Sequence, residues 1–368
     1  MVEREQIVEM ASRDERQAGV LVTLVATDGS SYRKPGARLL ALDGERAGTI
    51  SGGCLETEVV RRAPWSVRSG AVVERYSTVF DDTLDIPYGL GCGGTVDLLL
   101  EPSGTPEFTA LLNAIRSSLK GKPSVVITFL PTEDSPMLRA VLSSAGEIVF
   151  ASEALTEGEI SAAEAGKVQN TFAERLASPQ RLVILGGGDD AIPVVEMASL
   201  MGWSVTVVDG RPQLARAERF PKAQRVLTIR AGSLSELAIS EDDAVVVMTH
   251  SFEQDREWLA AVLPIAPRYL GVLGARHRSS LLVSEASALT GLSIAQCCDR
   301  IYAPVGLDLG GDGPEAIALA VIAEAQACCM GRLAGSRRLL AADVSRHLAD
   351  GDASRYILAQ CALELSAD

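Results

Sequence analysis

The segment that most limits what this chain can fold into begins at residue 182. Leu182-Val-Ile-Leu185 is a short continuous apolar run, the pattern of a strand buried on both faces. Gly186-x-Gly188-x-x-Ala191 follows at once, then a helical segment to Met201, a strand over 204–208 and Asp209 at its end. In that order the glycines serve a tight turn and close approach of backbone to a pyrophosphate. The acid about 20 residues further on meets a ribose hydroxyl. Close helix packing is the plainer use of the same glycines. Further strands at 244–248 and 269–273 continue a parallel sheet, so the second half is expected to be a Rossmann-like, doubly wound α/β domain.

In open parallel sheets, ligands bind beyond the carboxyl ends of the strands. Three loops there carry chemistry: Thr249-His250 with Asp255 just after, Gly274-Ala-Arg276-His277-Arg278, and Gly306-Leu-Asp308 running into Gly310-Gly-Asp-Gly-Pro314. The cofactor-binding candidates of this half are Gly186, Gly188, Asp189, Asp209, Arg211, Thr249, His250 and Arg276. His250 is also a catalytic candidate, because imidazole titrates near neutrality; capping a strand end is its alternative. Arg276 and Arg278 have the planar fork that fits phosphate, or they line a solvated surface.

The first half is expected to be a mixed α/β domain. It carries two cysteines framed by glycine, Ser51-Gly52-Gly53-Cys54 and Gly91-Cys92-Gly93-Gly94. Glycine lets backbone approach a ligand closely, so both thiols, with Gly52 and Gly53, are candidates for catalysis or cofactor contact. Cys54 precedes a helical pattern through Arg62, and a helix N-terminus stabilises a thiolate. Such a thiolate attacks a persulfide, ligates a soft metal or contacts a dithiolene. Cys92 has no helix start to do the same. The plainer reading of each is a small residue buried in a tight loop, and the helix start ranks Cys54 ahead of Cys92 as a functional thiol. Asp81, Asp82 and Asp85 read as a solvated acidic loop.

Strands are expected at 20–27, 38–43, 71–76, 95–101, 124–130 and 147–150, with helices at 5–17 and 106–119. Residues 151–178 are rich in Ala, Glu and Ser, weakly patterned, and read as a linker. The expected division is 1–178, then 179–335, then a helical tail over 336–368.

A net charge of −14 without a basic run argues against a nucleic-acid partner. The N-terminus has no apolar leader, and the most apolar stretch, 316–330, is too short for a membrane span. Seven cysteines, an odd number with two vicinal pairs, fit a reducing cytoplasm better than a disulfide framework. No CxxC or HxxxH spacing indicates a structural zinc site.

Three motifs carry a family resemblance: Gly29-Ser-Ser-Tyr-Arg-Lys-Pro-Gly-Ala-Arg38, Gly48-Thr-Ile-Ser-Gly-Gly-Cys-Leu-Glu56 and Gly91-Cys-Gly-Gly94. Together they resemble the N-terminal signature of the XdhC/CoxI family, accessory factors of xanthine dehydrogenase and related molybdenum hydroxylases. The second half is similar to that family's Rossmann domain. The resemblance implies a chaperone that binds molybdenum cofactor, as molybdopterin or its dinucleotide form, and supports its sulfuration with a cysteine desulfurase. It also implies delivery of the cofactor to the hydroxylase apo-enzyme. On this reading Cys54 and Cys92 face the molybdenum, and the Rossmann loop takes the phosphate or nucleotide. A homodimer is the default assembly. One departure stands out: the family pattern Gly-Ala-Gly-His is here Gly186-Gly-Gly188-Asp189, which sets an acid where a phosphate would lie. The alternative is an NAD(P)-dependent oxidoreductase with Asp209 on the ribose and His250 as acid/base. Arg211 leaves NADP open.

Overall fold

The computed structural model describes residues 1–13, 19–53, 55–77 and 94–332. Cys54, Cys92, the three acids at 81–85 and the tail from 333 lie outside the described residues. The chain divides into two compact units, with the break between Ser178 and Pro179.

The N-terminal unit is built on two antiparallel sheets. Helix α1 (Val2–Arg13) leads into β1 (Gly19–Asp28), β2 (Arg38–Leu42) and β3 (Glu45–Gly48). Helix α2 (Glu56–Ser66), β4 (Val72–Ser77) and β5 (Thr95–Pro102) complete the first sheet, in the order β3-β2-β1-β5-β4. Strand β1 is central, and its side chains alternate between two cores. Leu21 packs with Ile7 and Met10 of α1, while Val20, Val22 and Leu24 pack with Val59 and Ala63 of α2. That is why residues 20–27 read as β-branched and apolar with no polar face.

The second sheet has the order β8-β7-β6-β9, from β6 (Ser124–Phe129), β7 (Leu138–Ser143), β8 (Ile148–Ala151) and β9 (Thr171–Leu176). Helix α3 (Pro106–Leu119) shares a core with α1 and both sheets, through Phe108, Leu111, Leu112 and Ile115. Its start is set by Thr105, whose side chain accepts from the Phe108 amide, with Pro106 in the first turn.

The expected linker at 151–178 is instead part of this fold. Helix α4 (Glu157–Glu164) is capped by a reciprocal Thr156/Glu159 box, and β9 pairs with β6 over six residues. The weak pattern has a physical cause. Strand β9 is an edge strand, and Phe172, Glu174 and Leu176 alternate with solvated positions. Glu174 is fixed by Arg38 of β2, whose Nη1 lies 3.1 Å from Oε2 of Glu174 and whose Nη2 pairs with Oε1. Strand β7 has no clear sequence signal because Arg139 interrupts its apolar run. That arginine is buried against Glu101 of β5.

The C-terminal unit has a five-stranded sheet in the order β12-β11-β10-β13-β14, parallel in every pairing. The strands are β10 (Arg181–Leu185), β11 (Ser204–Val208), β12 (Arg225–Leu227), β13 (Ala244–Val247) and β14 (Tyr269–Val272). Helices α5 (Ala191–Leu200) and α9 (Pro314–Cys329) cover one face, packing on Leu182, Ile184, Val205 and Val246. Helices α6 (Phe252–Val262), α7 (Arg276–Thr290) and α8 (Ile294–Cys298) lie on the face of Val183, Leu185, Val245 and Val247. This is the doubly wound arrangement, and its strand order reverses between β10 and β13, so the loops after those strands frame the crevice. No helix among the described residues is long and apolar enough to cross a membrane.

Candidate functional site

The N-terminal motifs, far apart in sequence, meet. Gly94 opens β5 opposite the loop after β1. A Cβ there would lie 2.2 Å from the carbonyl oxygen of Ser30 and 2.7 Å from that of Asp28, so only glycine lets the two loops touch. Tyr32 of the same loop lies along Gly52, with ring atoms 3.4–3.8 Å from where a Cβ would stand. The first motif, the Ser51-Gly-Gly turn and the Gly94 end of the third therefore form one surface. Cys54 stands in the sequence between Gly53 and Leu55, and Cys92 two residues before Gly94.

A residue that sequence reasoning missed builds the turn. Glu56, in the first turn of α2, is 1% exposed and folds its carboxylate back onto the preceding loop. Oε1 accepts from the amides of Ile50 (3.1 Å) and Ser51 (2.9 Å) and from the Thr49 hydroxyl. Oε2 accepts from the Ser51 hydroxyl (2.5 Å) and the Gly53 amide (3.0 Å). Burial pushes this carboxyl up, but the hydroxyls of Ser51 and Thr49 and the Ser51 amide outweigh it, leaving its pKa at about 2. The available signal was a glutamate in the first helical turn just after a glycine loop, the chemistry of a capping box applied to a longer loop.

In the C-terminal unit the glycine turn follows β10 directly. Gly186 has φ 132°, and a Cβ there would sit 2.3 Å from the carbonyl oxygen of Met248, so glycine is required for β10 and the loop after β13 to approach. The amides of Gly188, Asp189 and Asp190 donate to no group among the described residues, and they open the ten-residue helix α5. Three adjacent free donors at a helix start suit an anion.

Asp189 is less of an obstacle to an anion than its sequence position suggested. Its side chain is 95% exposed, and its Oδ1 accepts from Arg219 Nη2 at 2.6 Å, which offsets its charge. Arg219 also donates to the carbonyls of Gly187 and Leu214, pinning the turn from 30 residues away, a distance at which no local pattern could reveal it. His250 stands at φ 62° with its side chain 61% exposed, and its Nε2 lies 2.7 Å from Oδ2 of Asp190. The helix cap is its neighbour Ser251, not His250. His250 and Gly188 are adjacent: a Cβ on Gly188 would meet the imidazole at 3.5 Å.

Asp209 holds the protein's own groups where a ribose hydroxyl was expected. It is fully buried. Oδ1 accepts from the amide and Nε of Arg211 (2.8 and 2.9 Å), and Oδ2 from the Gly187 amide and Arg211 Nη2 (both 2.8 Å). Burial raises the pKa of this carboxyl, yet Arg211 and the two amides bring it below its ordinary value. Arg211→Ala leaves that carboxylate buried with half its donors. It is expected to destabilise this domain by about 2 kcal/mol, measured by thermal melting; an unchanged melting temperature would remove the pair from the domain's support.

Thr249 is likewise spent within the protein. Its amide and hydroxyl both donate to Oδ1 of Asp255, at 2.9 and 2.6 Å. Asp255 in turn accepts from Arg278 at 2.6 Å, so Arg278 is part of the scaffold. Arg276, the first residue of α7, is exposed and makes no ion pair among the described residues. The structure therefore gathers Gly186, Gly188, Asp189 and His250 around the free amides, and gives Asp209, Arg211 and Thr249 structural partners.

Comparison with known proteins agrees with this two-part organisation. Residues 12–77 match the model of the XdhC and CoxI family, and residues 182–325 match that of the XdhC Rossmann domain. A Bacillus subtilis (strain 168) protein described as a probable xanthine dehydrogenase subunit is 30% identical over 320 residues, which is 84% of this chain and 93% of that protein. A crystal structure from Bacillus halodurans, described as a xanthine dehydrogenase, superposes with a TM-score of 0.78 at 29% identity, covering 92% of this chain and 98% of the other. The shorter match to the uncharacterized protein YqeB of Escherichia coli (strain K12), 27% identical, spans 44% of this chain and 29% of that protein. On its motifs, its fold and these matches, the chain belongs to the XdhC and CoxI family.

Proposed function

We propose that this protein binds molybdenum cofactor, supports its sulfuration and delivers it to the apo-form of a xanthine dehydrogenase-type molybdenum hydroxylase. One observation carries the reading: the first motif loop, the Ser51-Gly52-Gly53 turn and Gly94 meet on one surface, and a buried carboxylate, Glu56, is spent wholly on shaping that turn. Its relatives' names, both tied to xanthine dehydrogenase, support the choice of partner. The cofactor, when bound, supplies a pterin dithiolene and a metal with an exchangeable terminal ligand. On this reading the chain supplies the thiols of Cys54 and Cys92, which stand next to glycines in the sequence. In the Rossmann domain, the free amides at 188–190 suit a phosphate. A cysteine desulfurase is the sulfur source on this reading, and the protein acts as a carrier in the cytoplasm, with a homodimer as the default state.

The alternative, an NAD(P)-dependent oxidoreductase, is disfavoured by Asp209, whose four acceptor positions are filled by Arg211 and Gly187. A dehydrogenase also has no use for the N-terminal surface. The test is cofactor affinity in Cys54→Ala and Cys92→Ala. At least about a tenfold loss is expected when a thiol contact worth about 1.4 kcal/mol is removed. Unchanged affinity in both variants would take the thiols out of the site.

A further inference from the structure

Tyr32 has a ring that the fold does not use. It is 75% exposed, although it belongs to a loop held at many points. The Ser31 hydroxyl donates to the Arg33 carbonyl at 2.9 Å, and Arg33 is ion-paired with Glu3. Downstream, the Gly36 amide donates to Leu24 (2.8 Å) and the Ala37 amide to Lys34 (3.1 Å). Upstream, the carbonyls of Asp28 and Ser30 rest on Gly94. An aromatic ring with two side-chain torsions on a pinned loop loses little freedom on meeting a partner.

The ground beside the ring is equally specific. Gly52 lies against one part of the ring, and a Cβ on Gly53 would meet none of the described residues within 4 Å. The floor next to Tyr32 is thus bare backbone open to solvent. The amides of Ile50, Ser51 and Gly53 around it are all donated to Glu56. What this surface offers is the face of a ring beside exposed glycine backbone, which suits a planar heteroaromatic group.

We infer that Tyr32 is the stacking platform for the pterin ring system of the cofactor, with the Gly52-Gly53 strip as the floor beside it. This rests on the cofactor-binding reading above and adds the recognition element for the organic part of the ligand. The aromatic face carries the interaction and the hydroxyl is dispensable.

The experiment titrates wild type, Tyr32→Phe and Tyr32→Ala with molybdenum cofactor, following pterin emission, with melting curves to confirm that each variant is folded. Tyr32 is exposed, so both variants should melt like wild type. Tyr32→Phe should bind within about twofold of wild type, and Tyr32→Ala should lose roughly tenfold, the effect of one lost stacking contact. If wild type binds and Tyr32→Ala binds equally well, stacking on Tyr32 is overturned while cofactor binding stands. Equal losses in Phe and Ala would overturn it too, because the hydroxyl would then be the contact. Normal cofactor affinity in Tyr32→Ala with weakened capture of the hydroxylase would reassign Tyr32 to a protein interface. If wild type binds no cofactor, the reading beneath this inference falls with it.

Discussion

Arg139→Met is expected to destabilise the N-terminal domain by about 3–5 kcal/mol. Arg139 and Glu101 are 1% and 0% exposed, and their fork is bidentate: Nη1 to Oε2 at 2.8 Å and Nη2 to Oε1 at 3.2 Å. The same guanidinium donates to Thr128 Oγ1 at 3.2 Å and to the Glu107 carbonyl at 2.9 Å, so it joins both sheets to the start of α3. Methionine fills most of the volume but leaves Glu101 charged and unpaired in the core. The cost comes from that stranded charge more than from the lost attraction. Adding Glu101→Leu to Arg139→Met should therefore recover most of the stability, as urea midpoints of the three variants would show. A double variant as unstable as Arg139→Met would mean that the geometry around Thr128 and Glu107 matters more than charge pairing.

Glu56→Gln is expected to destabilise the same domain by about 3 kcal/mol near neutral pH. A neutral amide accepts fewer of the five hydrogen bonds, and its NH2 group would face donors. The pH dependence has a definite sign. The native carboxyl stays ionised to about pH 2, whereas its ordinary value is 4.5, so between those values the unfolded chain binds more protons. Stability from this group is fully present above about pH 4.5 and is lost as pH falls toward 2. The difference between wild type and Glu56→Gln should accordingly shrink between about pH 6 and about pH 3. Unfolding midpoints at the two pH values measure it, and a constant difference would mean that the carboxylate is not held by the loop.

The Rossmann half was largely legible in sequence because its grammar is local. Strands buried on both faces read as unbroken runs such as Leu182-Val-Ile-Leu185, and the glycine turn follows at a fixed offset. The three-residue strand β12 was too short to show a period. Asp209 shows the limit of motif reading: its place at the strand end was plain, but its partner Arg211 decides what it does. Arg219 acts on the glycine turn from 30 residues away and left no trace in the local pattern. In the N-terminal half, polar residues inside the fold concealed β7 and β9. Arg139 breaks the apolar run of one, and Glu174 lies in an edge strand that looks like linker. The glycine-framed motifs were visible at once, yet the contact of Gly94 with Ser30 and the role of Glu56 depend on tertiary approach.

Cofactor binding is tested most directly by titrating the purified full-length protein with molybdenum cofactor and, separately, with NAD and NADP, following pterin and nicotinamide fluorescence. Saturable binding of the cofactor, with no binding of either nicotinamide dinucleotide, is the expected result. Tight NAD or NADP binding with no pterin response would contradict it and would return Asp209 and His250 to the roles of a dehydrogenase.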